Sequence, residues 1–559
     1  MAYFLKKQKQ NTKTYLHVYE SYYSSTTKNT KHHFIKSFGS IESLKESGIE
    51  DPIDYCQKEI DKLNKERQDN KIQYISETSN IKHLGYFPIA SIMNKLNIKK
   101  YIDFFKLNTD FDFDLYEVLS VLIYCRVVKP CSKYKTCYEV MPYLYGEYNL
   151  SYDQLLSGLS FYGNDYEKFV ELFNNQVDKY YKLDTSTTYF DCTNFYFEID
   201  REDDFRRKGP SKENRKDPIV GLGLLLDKNQ IPCGLKMYPG NESEKPIIRS
   251  VINDLKNRNN ITGRTVEVAD KGLNCAKNIY FARENNDGYI FSKSVKQLPE
   301  TELTWLLLNN DYKDVKDADG KLLYRYKECV DKFPYDYIDE DGKKHRFELT
   351  EKRVVSYNPS LAIKQKAEIN KIVEKAKNLQ LSMAKKSEYG EASKYVNFKG
   401  KDDSKVVTSI NEEAIEKDLK LAGYNLLVTS EIKMKAIDIY NVYHNLWRIE
   451  ESFRIMKSDL DARPVYLQKQ ETIQGHFLIC YLAVLLERIL QFHILKNKYS
   501  SSDIYKFFKS FNVVKTDNKY QNLLTKNRFI EGLVDITNLP INYLTLTESQ
   551  LKKVFNYKF

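Results

Sequence analysis

Three carboxylates stand out by where they sit. Asp191 lies in the middle of TTYFDCTNFYFEI, an apolar run rich in aromatic residues and Thr. A central strand fits that composition, and an unpaired charge inside one costs several kcal/mol. Asp270 ends TVEVAD, at the carboxyl edge where α/β sheets commonly place ligands. A structural aspartate capping the turn or helix at KGLN is the competing reading for Asp270. Asp191 with Glu198 or Asp200 would offer the acid pair used to hydrolyse sugars. Odd spacing along a strand puts Glu198 on the opposite face from Asp191, which argues against that chemistry.

The third acid comes from a helix expected over 432–458. Ile439, Val442, Leu446, Ile449, Phe453 and Met456 recur every three or four residues and define a buried stripe. Tyr443, Glu450 and Lys457 are seven apart, and seven steps drift only ~20°, so they share one face. That face lies roughly 50–90° from the stripe, beside the core, whereas Glu451 falls roughly 170° away and is expected to face solvent. The geometry favours Glu450 over Glu451.

The elements that must position these groups follow from the surrounding pattern. IVGLGLLLD (219–227) and PCGLKMYPG (232–240) read as strands, PIIRSVINDLKN (246–257) as an amphipathic helix, and GYIFSKS (288–294) as another strand. Three strands followed by alternating helix and strand make a mixed α/β layer. From 84 to about 182 the pattern is helical. Upstream, TYLHVYESYY and HHFIKSF read as two short strands and 51–68 as a charged helix. Between 295 and 425 the pattern breaks into a hairpin at Asp341-Gly342, a charged helix near 361–379 and a polar stretch, before YNLLVTS resumes the strand texture.

With 559 residues, 42% hydrophobic and 29% charged, the composition is that of an ordinary folded protein of several domains. The start MAYFLKKQKQ shows no secretory h-region, and the apolar stretch His476–Leu486 is too short to span a bilayer, so it reads as a buried helix. Nine Cys form no CxxC pair and eight His add no ligand spacing, which fits a reduced cytoplasmic interior and disfavours structural zinc. The net charge of +10 is mild, but residues 1–40 hold seven Lys against Glu20 alone. The loop 201–216 adds Arg206, Arg207, Lys208, Lys212, Arg215 and Lys216. Trp305, set in LTWLLL, and Trp447 read as packing residues.

YFDCTNFYFE, VADKGLNCAKN and YHNLWRIEESFRIMKSDLDARPVY, in that order, resemble the three catalytic blocks of DDE transposases of bacterial insertion sequences. More narrowly they are similar to the cut-and-paste group marked by a Tyr-x2-Arg-x3-Glu-x6-Lys helix. GPSKENRKDPIVGLGLLLDKNQIPCGLKMYPGNESE and IQGHFLICYLAVLLERIL support the resemblance. It implies that Asp191, Asp270 and Glu450 are the catalytic, metal-binding acids, with Tyr443 and Lys457 as signature DNA contacts. The signature Arg position holds Leu446; Arg448, two residues on, is its candidate substitute. Lys212 and Arg215 are candidate contacts to the DNA backbone, which would be sequence-independent.

The resemblance further implies an α/β fold with a ribonuclease-H-like core, a mixed sheet flanked by helices and interrupted by a β-rich insertion, with a mostly helical N-terminal DNA-binding region. The expected division is a hairpin-plus-helix module at 1–80, a helical DNA-binding region at 81–185, core at 186–294, insertion at 295–423, core again at 424–500 and a helical tail at 501–559. Two Mg²⁺, for which Mn²⁺ can substitute, would support hydrolysis at the transposon end and strand transfer into target DNA. The expected partners are double-stranded DNA, as terminal inverted repeats and target, and a second copy of the chain in a synaptic homodimer, with no membrane. The expected location is the bacterial cytoplasm, at the nucleoid when DNA is bound. The alternative is a catalytically inactive, transposase-derived DNA-binding protein.

Overall fold

In the computed structural model, residues 3–24, 29–69, 80–210, 212, 216–258, 261, 263–339, 341–381, 386–399, 406–516 and 519–559 are described. The chain divides into two units, Met1–Ser79 and Asn80–Phe559.

In the first unit β1 (Tyr3–Gln10), β2 (Lys13–Ser24) and β3 (Asn29–Ser40) form an antiparallel sheet, followed by α1 (Ile41–Glu46) and α2 (Pro52–Asp69). Two strands were expected; β1 is a third, and its KKQKQ half lacks the apolar alternation that marks a buried face. Leu16 and Val18 on β2 and Cys56 and Ile60 on α2 are buried. Arg67 pairs with Glu20 at 2.6 Å, while Lys6, Lys7, Lys9, Lys13, Lys31 and Lys36 stay exposed.

The second unit opens with β4 (Ile81–His83), then α3 (Phe87–Lys95), α4 (Ile98–Lys106), α5 (Leu115–Val128), the one-turn α6 (Lys133–Lys135), α7 (Tyr152–Asn164) and α8 (Tyr166–Tyr181). Next come β5 (Thr187–Tyr196), β6 (Ile219–Leu226), β7 (Pro232–Pro239), α9 (Glu244–Asn257), β8 (Val266–Ala269), α10 (Ala276–Glu284) and β9 (Gly288–Lys293). These match the strands and helices expected around both aspartates. The segment expected as an insertion holds α11 (Glu300–Leu307), β10 (Lys313–Lys316), β11 (Leu322–Ile338), β12 (Lys344–Tyr357), α12 (Pro359–Leu381), α13 (Lys386–Tyr389), β13 (Val396–Lys399), β14 (Val406–Ile410) and α14 (Glu412–Leu421). Then follow β15 (Tyr424–Thr429), α15 (Ala436–His444), α16 (Trp447–Arg454), α17 (Gln470–Arg488), α18 (Ser501–Ser510), β16 (Asn512–Thr516), β17 (Lys519–Asn522), α19 (Arg528–Thr537), β18 (Thr545–Leu546) and α20 (Glu548–Phe555).

Nine strands join one mixed sheet in the order β10–β11–β12–β15–β9–β8–β5–β6–β7. β5, β6 and β7 are consecutive antiparallel strands, and β6 is buried along its whole length. Crossovers through α9 and α10 then lay β8 parallel to β5 and β9 parallel to β8. The insertion does not stand apart from this sheet. Its β11–β12 hairpin pairs through β12 with β15, and β15 pairs with β9. Separate small cores around Ile369 and Ala376 hold the rest of it.

α17 passes through the main core, where Phe477 to Leu486 are at most 1% exposed. With the π turn that follows, Gln470–Ile494 is long and apolar enough to cross a membrane, but 83% of its most apolar window is buried in the fold. It crosses α7 at glycines: a Cβ on Gly475 would sit 2.3 Å from the Leu159 carbonyl oxygen, and one on Gly163 1.7 Å from that of Glu471. The segment expected as a helical tail is mixed. Its β16, β17 and β18 join β4, through β16, in a sheet of order β18–β17–β16–β4. Strands of two to five residues are too short to show a period of two.

Candidate active site

β5 and β8 run parallel with Phe190 opposite Ala269. Asp191 and Asp270, the next residue on each segment, therefore stand side by side at a strand spacing of about 4.8 Å. The Asp191 side chain is 21% exposed, and its Oδ1 accepts the Cys192 N–H at 2.8 Å. Burial pushes its carboxyl up to about 6; Lys212 and that N–H oppose the shift, and the nearby Glu244 and Asp270 carboxylates add to it. The Lys212 ammonium reaches in to 3.8 Å from Asp191 Oδ1 and 3.4 Å from Glu244 Oε1, and donates to the Cys192 carbonyl. Although burial pulls the Lys212 pKa down, Asp191 and Glu244 hold it above the ordinary lysine value.

Asp270 does not cap the helix after it: α10 takes Cys275 as its N-cap, without a side-chain cap bond. Asp270 Oδ1 instead accepts the Tyr443 phenol at 3.0 Å. Burial, then the Asp270 charge, raise the Tyr443 pKa, and the Glu450 carboxylate is close enough to add to the effect. Asp191, Asp270, Tyr443 and Glu450 thus form one electrostatic neighbourhood.

The helix expected over 432–458 is interrupted. Between α15 and α16 the N–H groups of Leu446, Arg448 and Ile449 donate to carbonyls three residues back, each at 3.0 Å, a 3₁₀ junction. After α16, Ile455–Asp459 forms a π turn. Tight winding at one point and loose winding at the other break the simple seven-residue alignment. Tyr443 still turns to Asp270 and Glu450 is exposed, while the Lys457 ammonium sits 5.4 Å from the Phe195 ring centroid. Phe195 shares the Asp191 face of β5, four residues along.

Glu451 corrects the sequence expectation. Its side chain is 13% exposed and accepts from Arg448 at 2.9 Å and from Arg488 at 3.0 Å. Despite burial, Arg488 and Arg448 hold its carboxyl below the ordinary range. Apolar periodicity reveals one buried stripe only; a second face of α16 is buried through polar partners on α17.

A family model described as a transposase DDE domain matches residues 193–486. The chain belongs to the DDE transposase family. A search among curated proteins finds no match. The family acts on DNA and generally uses divalent metals. Asp270 and Glu450 of this transposase lie inside the matched span, and Asp191 two residues before it.

The donor set suits a hard cation. Asp191 and Asp270 present carboxylate groups side by side, and the half-buried Asp191 charge already draws an ammonium group to itself. Among the described residues no three His, Cys, Asp or Glu side chains stand close enough together to hold a metal ion as one group. Mg²⁺ keeps several waters and is commonly held by one or two carboxylates, so it needs no such group.

The remaining candidates separate. Leu446 is buried in the core, so nothing cationic occupies the signature Arg position. Arg448 is engaged by Glu451, and its guanidinium stacks 3.8 Å from the centroid of Trp447, which is 46% exposed rather than packed inside. Trp305 packs against the core beneath Lys327. Arg215 lies outside the described residues. In the basic loop, Arg206 and Arg207 pair with Asp203 and Asp204, so local acids offset much of its charge.

Two features escape the sequence pattern. Glu244, the first residue of α9, faces the same lysine as Asp191, and its position just past a strand end in GNESE is the one local signal. A cavity of about 550 Å³ adjoins Asp270 and Tyr443 and is lined by Lys271, Lys293, Lys296 and Lys394. These lysines are spread over more than a hundred residues of sequence and meet only through the fold.

Proposed function

We propose that this transposase cleaves DNA at transposon ends and transfers the freed strand into target DNA, with Asp191, Asp270 and Glu450 as its catalytic acids. The in-register pairing of β5 with β8, which sets two aspartates side by side, carries this reading. The strand order, three antiparallel strands followed by two parallel ones, supports a ribonuclease-H-like core.

Two Mg²⁺, or Mn²⁺ in their place, would activate the attacking oxygen and neutralise the leaving one. Asp191, Asp270 and Glu450 would hold the ions. Tyr443 fixes the Asp270 carboxylate by its hydrogen bond. Lys212, placed between Asp191 and Glu244, offsets their negative charge. Water would first cut at the transposon end, leaving a 3′-hydroxyl; that hydroxyl would then attack a target phosphodiester in the same site. Lys457 and Lys271 would supply positive charge for DNA phosphates, whereas around the cavity Lys293 pairs with Glu302, and Lys296 and Lys394 with Asp418. Two protomers would synapse two ends.

The test is incubation of the purified chain with DNA carrying the element's inverted repeats, with and without Mg²⁺. Metal-dependent cleavage at the repeat end, lost separately in Asp191→Asn, Asp270→Asn and Glu450→Gln, is expected. The buried Leu446 favours the second reading, an inactive DNA-binding descendant, and end binding without cleavage under Mg²⁺ or Mn²⁺ would establish it.

A further inference from the structure

Away from the acids, three polar side chains converge inside the helical part of the second unit. Arg126 on α5, Lys133 at the start of α6 and His476 on α17 are only 4%, 5% and 5% exposed. Lys133 Nζ lies 3.2 Å from His476 Nδ1, and His476 Nε2 lies 3.0 Å from the Ala462 carbonyl. A carbonyl only accepts, so Nε2 carries the imidazole proton and Nδ1 offers its lone pair to Lys133. Arg126 donates to the Leu460 carbonyl at 3.3 Å. Among the described residues, neither cation is in an ion pair with a carboxylate.

Two buried positive charges without an acid partner are costly in a folded interior. Burial, reinforced by Arg126, pushes the Lys133 ammonium down to about 7, and burial with both cations keeps His476 neutral. The three line a cavity of about 670 Å³ whose wall also includes Asp461 and Tyr152. Tyr134 and Tyr466, 59% and 73% exposed, stand at it as well.

We propose that Arg126, Lys133 and His476 form an oxyanion site that takes a phosphate group. His476 occupies one of the three lysine N–H donors and thereby aims the others; the guanidinium, anchored on Leu460, supplies further fixed donors. Exposed tyrosines beside a cationic cavity are what a nucleic-acid strand uses, bases stacking while the backbone is held. Arg463, next in sequence to the wall residue Pro464, stacks 5.5 Å from the ring centroid of Tyr196, at the end of the strand carrying Asp191. A backbone phosphate of bound DNA is one source of the group, and this assignment rests on the proposed function; free phosphate is the other.

The test uses the full metal-free chain and Lys133→Met, which keeps length and packing while removing the charge. Inorganic phosphate is expected to raise the wild-type Tm in a saturable way, where chloride of equal ionic strength does not, and Lys133→Met is expected to lose that response without a lower basal Tm. Lys133→Arg, which retains the charge, is expected to keep it. In a second arm, end DNA carries single neutral methylphosphonates at successive positions. If the group is a backbone phosphate, one position weakens wild-type binding about tenfold but leaves Lys133→Met unaffected, and the variant's salt slope is shallower by about one. A Tm response with no sensitive position assigns the site to free phosphate. No wild-type response to phosphate, or one that survives in Lys133→Met, overturns the proposal. The phosphate arm needs neither DNA nor cleavage, so its failure is distinguishable from that of the transposase reading.

Discussion

The phenol of Tyr443 donates a hydrogen bond to Asp270 Oδ1 at 3.0 Å, tying the helical segment that leads to Glu450 to the strand end that carries the second aspartate. Because burial and the Asp270 charge raise the phenol pKa, its proton stays in place across neutral and mildly alkaline pH. Tyr443→Phe is expected to lose about 1.5–3 kcal/mol of stability, typical of a hydrogen bond to a charged group. It should also raise the Mg²⁺ concentration that half-saturates cleavage. Thermal melts and metal titrations of end cleavage check both.

Asp191→Asn should abolish cleavage yet stabilise the metal-free chain at pH 7.5. The folded-state pKa of about 6 lies above the ordinary 3.8, so the folded form binds this proton more tightly than the unfolded one. Stability from this group is therefore present at low pH and lost as pH rises from about 4 to 6. Removing the charge recovers about 1–3 kcal/mol above pH 6. Melts in chelator at pH 5 and 7.5, wild type against variant, measure the difference. Equal pH dependence in both would show that Asp191 is not strained by its charge.

On the proposed function, Lys212 and a divalent ion would compete for the same carboxylates. Lys212→Met is expected to lower the Mg²⁺ concentration needed to protect the chain from thermal unfolding, about 2–5-fold, and to destabilise the metal-free form. Differential scanning fluorimetry across a Mg²⁺ series reads both effects.

Glu450 and Glu451 should respond oppositely to amide substitution. Glu450 is exposed, so Glu450→Gln leaves the melt unchanged and removes cleavage. Glu451 holds the fully buried Arg488, and Glu451→Gln is expected to cost about 3–5 kcal/mol, as for other broken buried pairs. At temperatures where it remains folded, Glu451→Gln should still cleave. The reverse pattern would move the third acid to Glu451.

The strands around both aspartates are legible in the sequence because each is a short apolar run bounded by Gly, Pro or charged residues. The pairing that brings Asp191 beside Asp270 is not, since register is fixed between segments 79 residues apart. Glu451 shows another limit: a polar face reads as solvent-facing unless its partner, here Arg488, is known to arrive from another helix. Leu446, in contrast, lies on the apolar stripe and is buried as its spacing indicates. The hairpin at Gly342 was readable from its turn, but its joining to the main sheet was not.

That joining has a mechanical consequence. From the Gly342 turn, backbone hydrogen bonds run without interruption through β11, β12, β15 and β9 to β8, whose last residue precedes Asp270. The base of the hairpin, Lys352–Tyr357 of β12, is a strand of the sheet that carries Asp191 and Asp270, while its outer part extends as a two-stranded ribbon. A displacement at its base is therefore passed along the same ladder that ends at β8, beside β5 and Asp191.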